Sequence, residues 1–346
     1  MKSRILVFIL TIIVLVIACK KQKKEYDSYN QTALINNWAD SLYLPAINEF
    51  YRSVKSIDVL VTEYALFKES SKLQEIKTEW KVASLLWRGI EPFIIGDLKN
   101  SFISYRLTTF PIDTADVKSL LNDEMLNADL LNTKPSDNVG LYCLEYLLFS
   151  IHLDKSGSYY DLLSLVSKDV LKSTERFKLI SDNSIDDFRS SKGYSLSSTI
   201  GQVLNQVPVI CESTLRYKIG IPIGYYDYVE MDDRMLEAWR SKTSFETINK
   251  TINTLKNVFY GVNGIGLEEY LIEKGEVELV QKADDYFNET ELILSEISKP
   301  LFGQLILNET KLTALRLSFK KIRSLFIIDI SPTLGFNITF SDADGD

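Results

Sequence analysis

Glycine and proline are scarce in this chain, with 15 and 8 in 346 residues. Sandwiches and barrels need many tight turns, so a chain this poor in both residues points to long uninterrupted elements and an all-α fold. The apolar pattern agrees. Leu34, Ile35, Trp38, Leu42, Leu44, Ile47, Phe50, Tyr51 and Val54 recur at helical spacing over 31–68. Leu73, Ile76, Trp80, Ala83, Leu86 and Trp87 carry the stripe over 72–90, and Pro92 ends it. The spacing predicts further helices over 114–131, 138–152, 159–180, 196–219, 245–260, 276–298 and 301–326. Residues 91–111 read as irregular, and the polar Ser/Asp-rich stretch 181–198 reads as a linker. Long helices on either side of it suggest two helical bundles side by side, an N-terminal one over 31–182 and a C-terminal one over 196–346. Strand-like patterning is confined to short stretches such as 336–340.

The first residues read as an address. Lys2 and Arg4 precede an apolar run from Ile5 to Ile17, shorter than the ~20 residues of a spanning helix. The run ends at Val16-Ile17-Ala18-Cys19, which resembles a bacterial lipobox, so 1–18 reads as a cleaved signal peptide and Cys19 as the lipidated residue. Residues 19–30 then form a tether, in which Lys20, Lys21, Lys23 and Lys24 can meet anionic headgroups and add to the acyl anchor. The expected place is the bacterial cell envelope, anchored in the outer membrane and facing the periplasm. The whole chain has a net charge of −8, and the body beyond the tether has no basic stripe, which argues against nucleic acid and leaves an envelope protein as a conceivable macromolecular partner.

With a single histidine, His152, the chain excludes every site that needs two, including the H-E-x-x-H zinc helix. Beyond Cys19 only Cys143 and Cys211 remain, both in apolar helical context that suits buried thiols, although an oxidising envelope would permit a bridge.

Gly140-Leu141-Tyr142-Cys143-Leu144-Glu145 resembles the G-x-H-x-x-E signature of the imelysin-like family. Other blocks agree in order. Trp80-Lys81 with Trp87-Arg88-Gly89-Ile90-Glu91-Pro92-Phe93 resembles the family's N-terminal block, and Phe110-Pro111-Ile112-Asp113 its Trp-Pro-x-Asp turn. Leu267–Leu271 resembles its Gly-Leu-x-x-Tyr-Leu stretch, and Leu334-Gly335-Phe336 with the Asp342–Asp346 tail its ending. The resemblance implies a two-bundle helical fold and secreted or lipid-anchored bacterial proteins, often linked to iron uptake and once assigned as metallopeptidases.

The departure lies at Tyr142, where the family motif has histidine. Tyr142 and Glu145 are three apart and share a helix face, but a phenol with a pKa near ~10 is a poor metal ligand at neutral pH unless the metal drives its deprotonation. His152 cannot replace the imidazole, since seven residues along a helix is about 10.5 Å. Three readings of the pair stand. Tyr142 packs while Glu145 is satisfied by an arginine such as Arg88 or Arg106. The pair instead lines a cleft between the halves and binds a small polar molecule or a hard cation such as ferric iron through oxygen ligands. Or Glu145 is a general base, a reading that the missing histidine weakens. Arg88 and Glu91, three apart at a helix end, are spaced as an ion pair and are also candidate cleft residues. Asp113 either joins them or caps the following helix. The expected function is binding in an iron or metal uptake context, with a degenerate metallopeptidase or a non-catalytic envelope interaction protein as alternatives.

Overall fold

The computed structural model describes residues 31–150, 153, 155, 157–262, 264–336 and 338. Residues 1–30, on which the expected signal peptide, lipidated Cys19 and tether fall, His152, most of 336–340 and the acidic tail lie outside the described residues. Helix α1 (31–37) passes through a π-helical turn, Trp38–Tyr43, into α2 (Leu44–Phe67). In α2 the residues Ile47, Phe50, Val54, Ile57, Val61 and Tyr64 are buried, and in α3 (Ser70–Ile90) Leu73, Ile76, Trp80, Ala83, Trp87 and Ile90 are buried. Two stripes at steps of three and four must cover each other, so α2 and α3 pack face to face. Helix α8 (Gly140–Phe149) and the long α9 (Gly157–Ser190) complete the first bundle, α9 against α2 and α8 against α3. Between them run the short α4 (Gly96–Asn100), α5 (Ile103–Thr108), α6 (Thr114–Leu120) and α7 (Ala128–Asn132).

The second bundle is built from α10 (Thr199–Ser213) with its π-helical turn Thr214–Gly220, α11 (Ser244–Tyr260), α13 (Val277–Ser295) and α14 (Leu305–Ser324). The short α12 (Leu267–Glu273) links α11 to α13, and a π-helical turn, Leu325–Ile330, leads to α15 (Ser331–Thr333). The described residues contain no strand. One apolar core runs through both bundles. At their junction α3 lies on α11, and the 3-10 turn Glu91–Phe93 that follows α3 lies on α10 and α11. Trp38 donates its indole N–H to the Val258 carbonyl at 3.0 Å, and the Asn37 amide donates to Ile265 O at 2.9 Å.

Several expected boundaries are corrected. Residues 181–190 are not linker but the last turns of α9, with Ser181 and Phe188 buried and the Ser184 hydroxyl bonded back to the Ile180 carbonyl. The N-terminal unit therefore extends past residue 182, and the chain turns at 191–198. The expected helix over 114–131 is two helices. The Asp113 carboxylate caps α6, Asp123 accepts from the Met125 N–H, and Asn127 caps α7, so local side-chain acceptors compete with the helix between them. The stretch 91–111 is not irregular, because a 3-10 turn and the short α4 and α5 occupy it; helices of five or six residues carry too few periods to be read from spacing. Cys143 and Cys211 are both buried free thiols.

Gly140 opens α8 with φ +82°, and a Cβ there would press into the carbonyl oxygens of Arg106 and Leu107 on α5. Gly140→Ala should therefore cost roughly 2–4 kcal/mol of stability, from left-handed strain and overpacking together. A urea unfolding midpoint indistinguishable from that of the parent would show that α5 and α8 are not in this close contact.

Candidate functional site

Four charged side chains meet at the bundle junction. Arg88, on the last turn of α3, points its guanidinium to Glu91 in the following 3-10 turn, Nη1 to Oε1 at 2.6 Å. Glu237, in the loop before α11, lies opposite, with Oε1 3.5 Å from Arg88 Nη1 and Oε2 3.2 Å from Lys218 Nζ. Lys218 is set there by the π-helical turn that ends α10, and π turns recur at functional sites. Arg88 is 3% exposed and Glu237 8%. Burial pushes the Glu237 carboxyl up, but Arg88 and then Lys218 outweigh it and hold the group at about 2. Arg88 is likewise disfavoured by burial and more than restored by Glu237 and Glu91, so its charge is secure.

Tyr142 and Glu145 sit on α8 behind this cluster. The Tyr142 ring packs edge-on against Trp80 and Phe110, at centroid distances of 6.3 and 5.2 Å. Its hydroxyl donates to Glu237 Oε1 at 2.5 Å and accepts from Arg88 Nη2 at 3.3 Å. Burial first, and the Glu237 charge second, push the phenol well above its ordinary value, so it stays protonated as a donor. Glu145, one turn on, accepts the Ser241 backbone N–H on Oε1 at 2.8 Å, while Oε2 lacks a hydrogen-bond partner. Burial raises its carboxyl to about 7 against the opposing Ser241 N–H. Both motif side chains of α8 thus reach across the junction to one loop of the second bundle, 237–243. That loop holds two non-glycine residues in the left-handed region, Ala238 at φ 58° and Lys242 at φ 60°, a conformation that persists only where surrounding contacts impose it.

Arg88, Glu91, Lys218 and Glu237 all line a cavity of about 340 Å³ at the junction, with Trp87, Tyr105, Phe110, Ser213 and Tyr217 among its other walls. Of the residues expected at a cleft, Arg88 and Glu91 are there, and as an ion pair. Tyr142 and Glu145 are not among its lining residues; at 1% and 0% exposure both are buried. Asp113 is also elsewhere: exposed, with Oδ1 accepting the Ala115 and Asp116 N–H groups as the cap of α6. Arg88 and Arg106 do not satisfy Glu145, because Arg88 is held by Glu91 and Glu237, and Arg106 binds Asp169 at 2.7 Å. The charged side chain that acts most on Glu145 is Arg240, which stacks over Tyr146 and Trp239. Among the described residues no three His, Cys, Asp or Glu side chains converge as a metal would require. The expected metal pair, Tyr142 and Glu145, is engaged instead in protein hydrogen bonds.

Glu237 and Lys218 are the residues that sequence reading missed. The only local signal is a carboxylate among apolar neighbours in Leu236-Glu237-Ala238-Trp239, and that pattern does not point to a partner.

Glu145 generates a pH dependence. A carboxyl at about 7 when folded and ~4.5 when unfolded binds its proton more tightly in the native state, so its contribution is lost as pH rises between those values. The wild type should lose on the order of 3 kcal/mol from this group between pH 4.5 and 7. Glu145→Gln should remove that slope and leave stability flatter from pH 5 to 8 in urea titrations. Parallel curves for the two proteins would show that Glu145 does not titrate in this window.

The family model described as Imelysin (peptidase M75) matches residues 46–324. Among solved structures, an imelysin-like protein from Psychrobacter arcticum 273-4 superposes with TM-score 0.76 at 17% identity, over 90% of this chain and 98% of that one. A protein described as an iron-regulated protein A precursor, from Parabacteroides distasonis ATCC 8503, superposes with TM-score 0.71 at 14% identity, over 88% and 95%. No curated protein matches the chain. The two-bundle fold is common to all three structures, and with the family model matching most of its length, this chain belongs to the imelysin family.

Proposed function

We propose that this chain is a cell-envelope binding protein, lipid-anchored through Cys19 to the outer membrane and facing the periplasm, that holds a small polar ligand in the cleft between its bundles during iron or metal uptake. The observation that carries the reading is the junction cavity, whose walls hold two cations and two carboxylates drawn from both bundles. Largely buried charges left facing a concavity are a common mark of a ligand site. The lipobox-like Val16–Cys19 and the following lysines support the anchor, and the iron-regulated relative supports the iron context. Arg88 and Lys218 beside the two carboxylates disfavour a bare cation and favour a chelated or otherwise polar molecule. Binding outranks hydrolysis because Glu145 is buried and is not among the residues that line the cavity.

Calorimetry of the full chain in neutral-lipid nanodiscs tests the reading, with ferric citrate, Fe(II), Zn(II) and Cu(II) as titrants. At least one should bind saturably with one site per chain, and Glu91→Gln, which removes a cavity charge with little change of shape, should weaken it by about tenfold, or 1.4 kcal/mol. Absence of binding by every titrant, or binding indifferent to Glu91→Gln, would overturn the assignment of this cleft.

A further inference from the structure

A second lobe of about 320 Å³ adjoins the junction cavity; its own walls include the exposed Lys99 and Val209, and it is termed the outer lobe. Glu91, Ile94, Tyr105, Ser213, Tyr217 and Lys218 line both lobes, so the two form one groove with a shared waist. Their chemistry differs. The inner lobe is the charged cluster, whereas the outer lobe is walled by Pro208, Val209 and Ile210 of α10, with the exposed rings of Tyr105 and Tyr217 at its rim.

The outer lobe also adds cations. Lys99 at the end of α4 and Arg216 in the π-helical turn line it, so four cations face three carboxylates, Glu91, Glu212 and Glu237, across the groove. One of those carboxylates is already paired from outside, since Arg323 Nη1 lies 3.1 Å from Glu212. Arg216 lies over the Tyr217 ring, its guanidinium carbon 5.5 Å from the centroid. The groove is therefore positive in a chain of net charge −8, and a low-dielectric concavity focuses such a field on a ligand of opposite sign. In the charged cluster three buried polar atoms have no hydrogen-bond partner: Arg88 Nε, a donor on a side chain 3% exposed, and the acceptors Glu91 Oε2 and Glu237 Oε2. Buried polar groups left unpaired are costly, so this cluster gains from further polar partners.

We infer that the groove binds an amphipathic organic anion, with an oxyanion head that also carries a hydroxyl or N–H donor and an apolar, preferably aromatic, body. The inference rests on the cleft reading above and names its ligand class. The oxyanion accepts from Arg88 and meets the surplus positive charge of Lys218, Arg216 and Lys99; the donor on the head goes to the carboxylates of Glu91 and Glu237. The body lies on Pro208 and Val209 between Tyr105 and Tyr217, where ring and aliphatic surfaces leave water together.

A series with one body and three charges tests this: 3-hydroxy-2-naphthoate, 2-naphthol and 2-naphthylmethylammonium, titrated calorimetrically into the full chain in neutral-lipid nanodiscs against empty nanodiscs. The naphthoate should bind about tenfold or more tighter than naphthol. The double variant Lys99→Ala/Arg216→Ala, on groove walls outside the buried cluster, should weaken the naphthoate by a similar factor and leave naphthol unchanged. Ser213→Trp, which fills the shared waist, should abolish both, with circular dichroism confirming the fold of each variant. An ammonium probe that binds as tightly as the naphthoate and is blocked by Ser213→Trp would overturn the anion class while leaving the cleft reading intact. Naphthoate binding indifferent to both variants would overturn the class and its location. Silence from all three probes would overturn it as well, and with no metal titrant bound either, the cleft reading falls too.

Discussion

The buried carboxylate of Glu237 is the interaction on which the junction depends. Removing such a group from water costs several kcal/mol, and only close opposite charge with filled lone pairs makes that tolerable. Here Arg88 comes from α3, Lys218 from the turn after α10, and the Tyr142 hydroxyl from α8. Three elements from two bundles must be in register at once for that carboxylate to stay charged. An apolar plug of the same shape would be equally stable, or more so. An ionic cluster instead gives one relative placement of the bundles, because a shift that parts Glu237 from its partners strands a charge. That placement in turn shapes the cavity that the same residues line.

Glu145 adds the second tie. Its i,i+3 spacing from Tyr142 puts both side chains on one face of α8, and both meet the loop 237–243, one through Glu237 and the other through the Ser241 N–H. In this chain the motif therefore clasps α8 to that loop. The geometry also explains why Gly140 begins it: only without a Cβ can α8 start against the carbonyls of α5 and bring its face to the loop.

How much of this was legible depended on the range of each interaction. The stripes of α2 and α3 are local periodicities, and they are buried as their spacing predicts. The Arg88–Glu91 pair and the Asp113 cap are also local, formed with partners within three residues. Helix α9 ran past its expected end because its last turns are polar yet helical, with Ser184 satisfied by its own helix. Glu237 could not be found, because its bond to Tyr142 closes over 95 residues and no pattern near either residue encodes the other. The cleft was expected at Tyr142 and Glu145 for the same reason. Spacing shows that two residues share a face, but not whether that face meets solvent or a neighbouring loop.

The tyrosine at the motif position changes what the cluster does with pH. An imidazole there would gain or lose its proton near neutrality, and the charge beside Glu237 would vary with it. A phenol lifted above its ordinary value stays neutral throughout the physiological range. Glu237 at about 2 stays ionised and Arg88 stays cationic over that range. Tyr142 thus keeps the charge of the junction cluster constant where histidine would make it titrate. The neighbouring Glu145, at about 7, is then the group of the clasp whose charge changes near neutral pH. It lies one helical turn from Tyr142 and is buried, so its ionisation adds a negative charge to the junction.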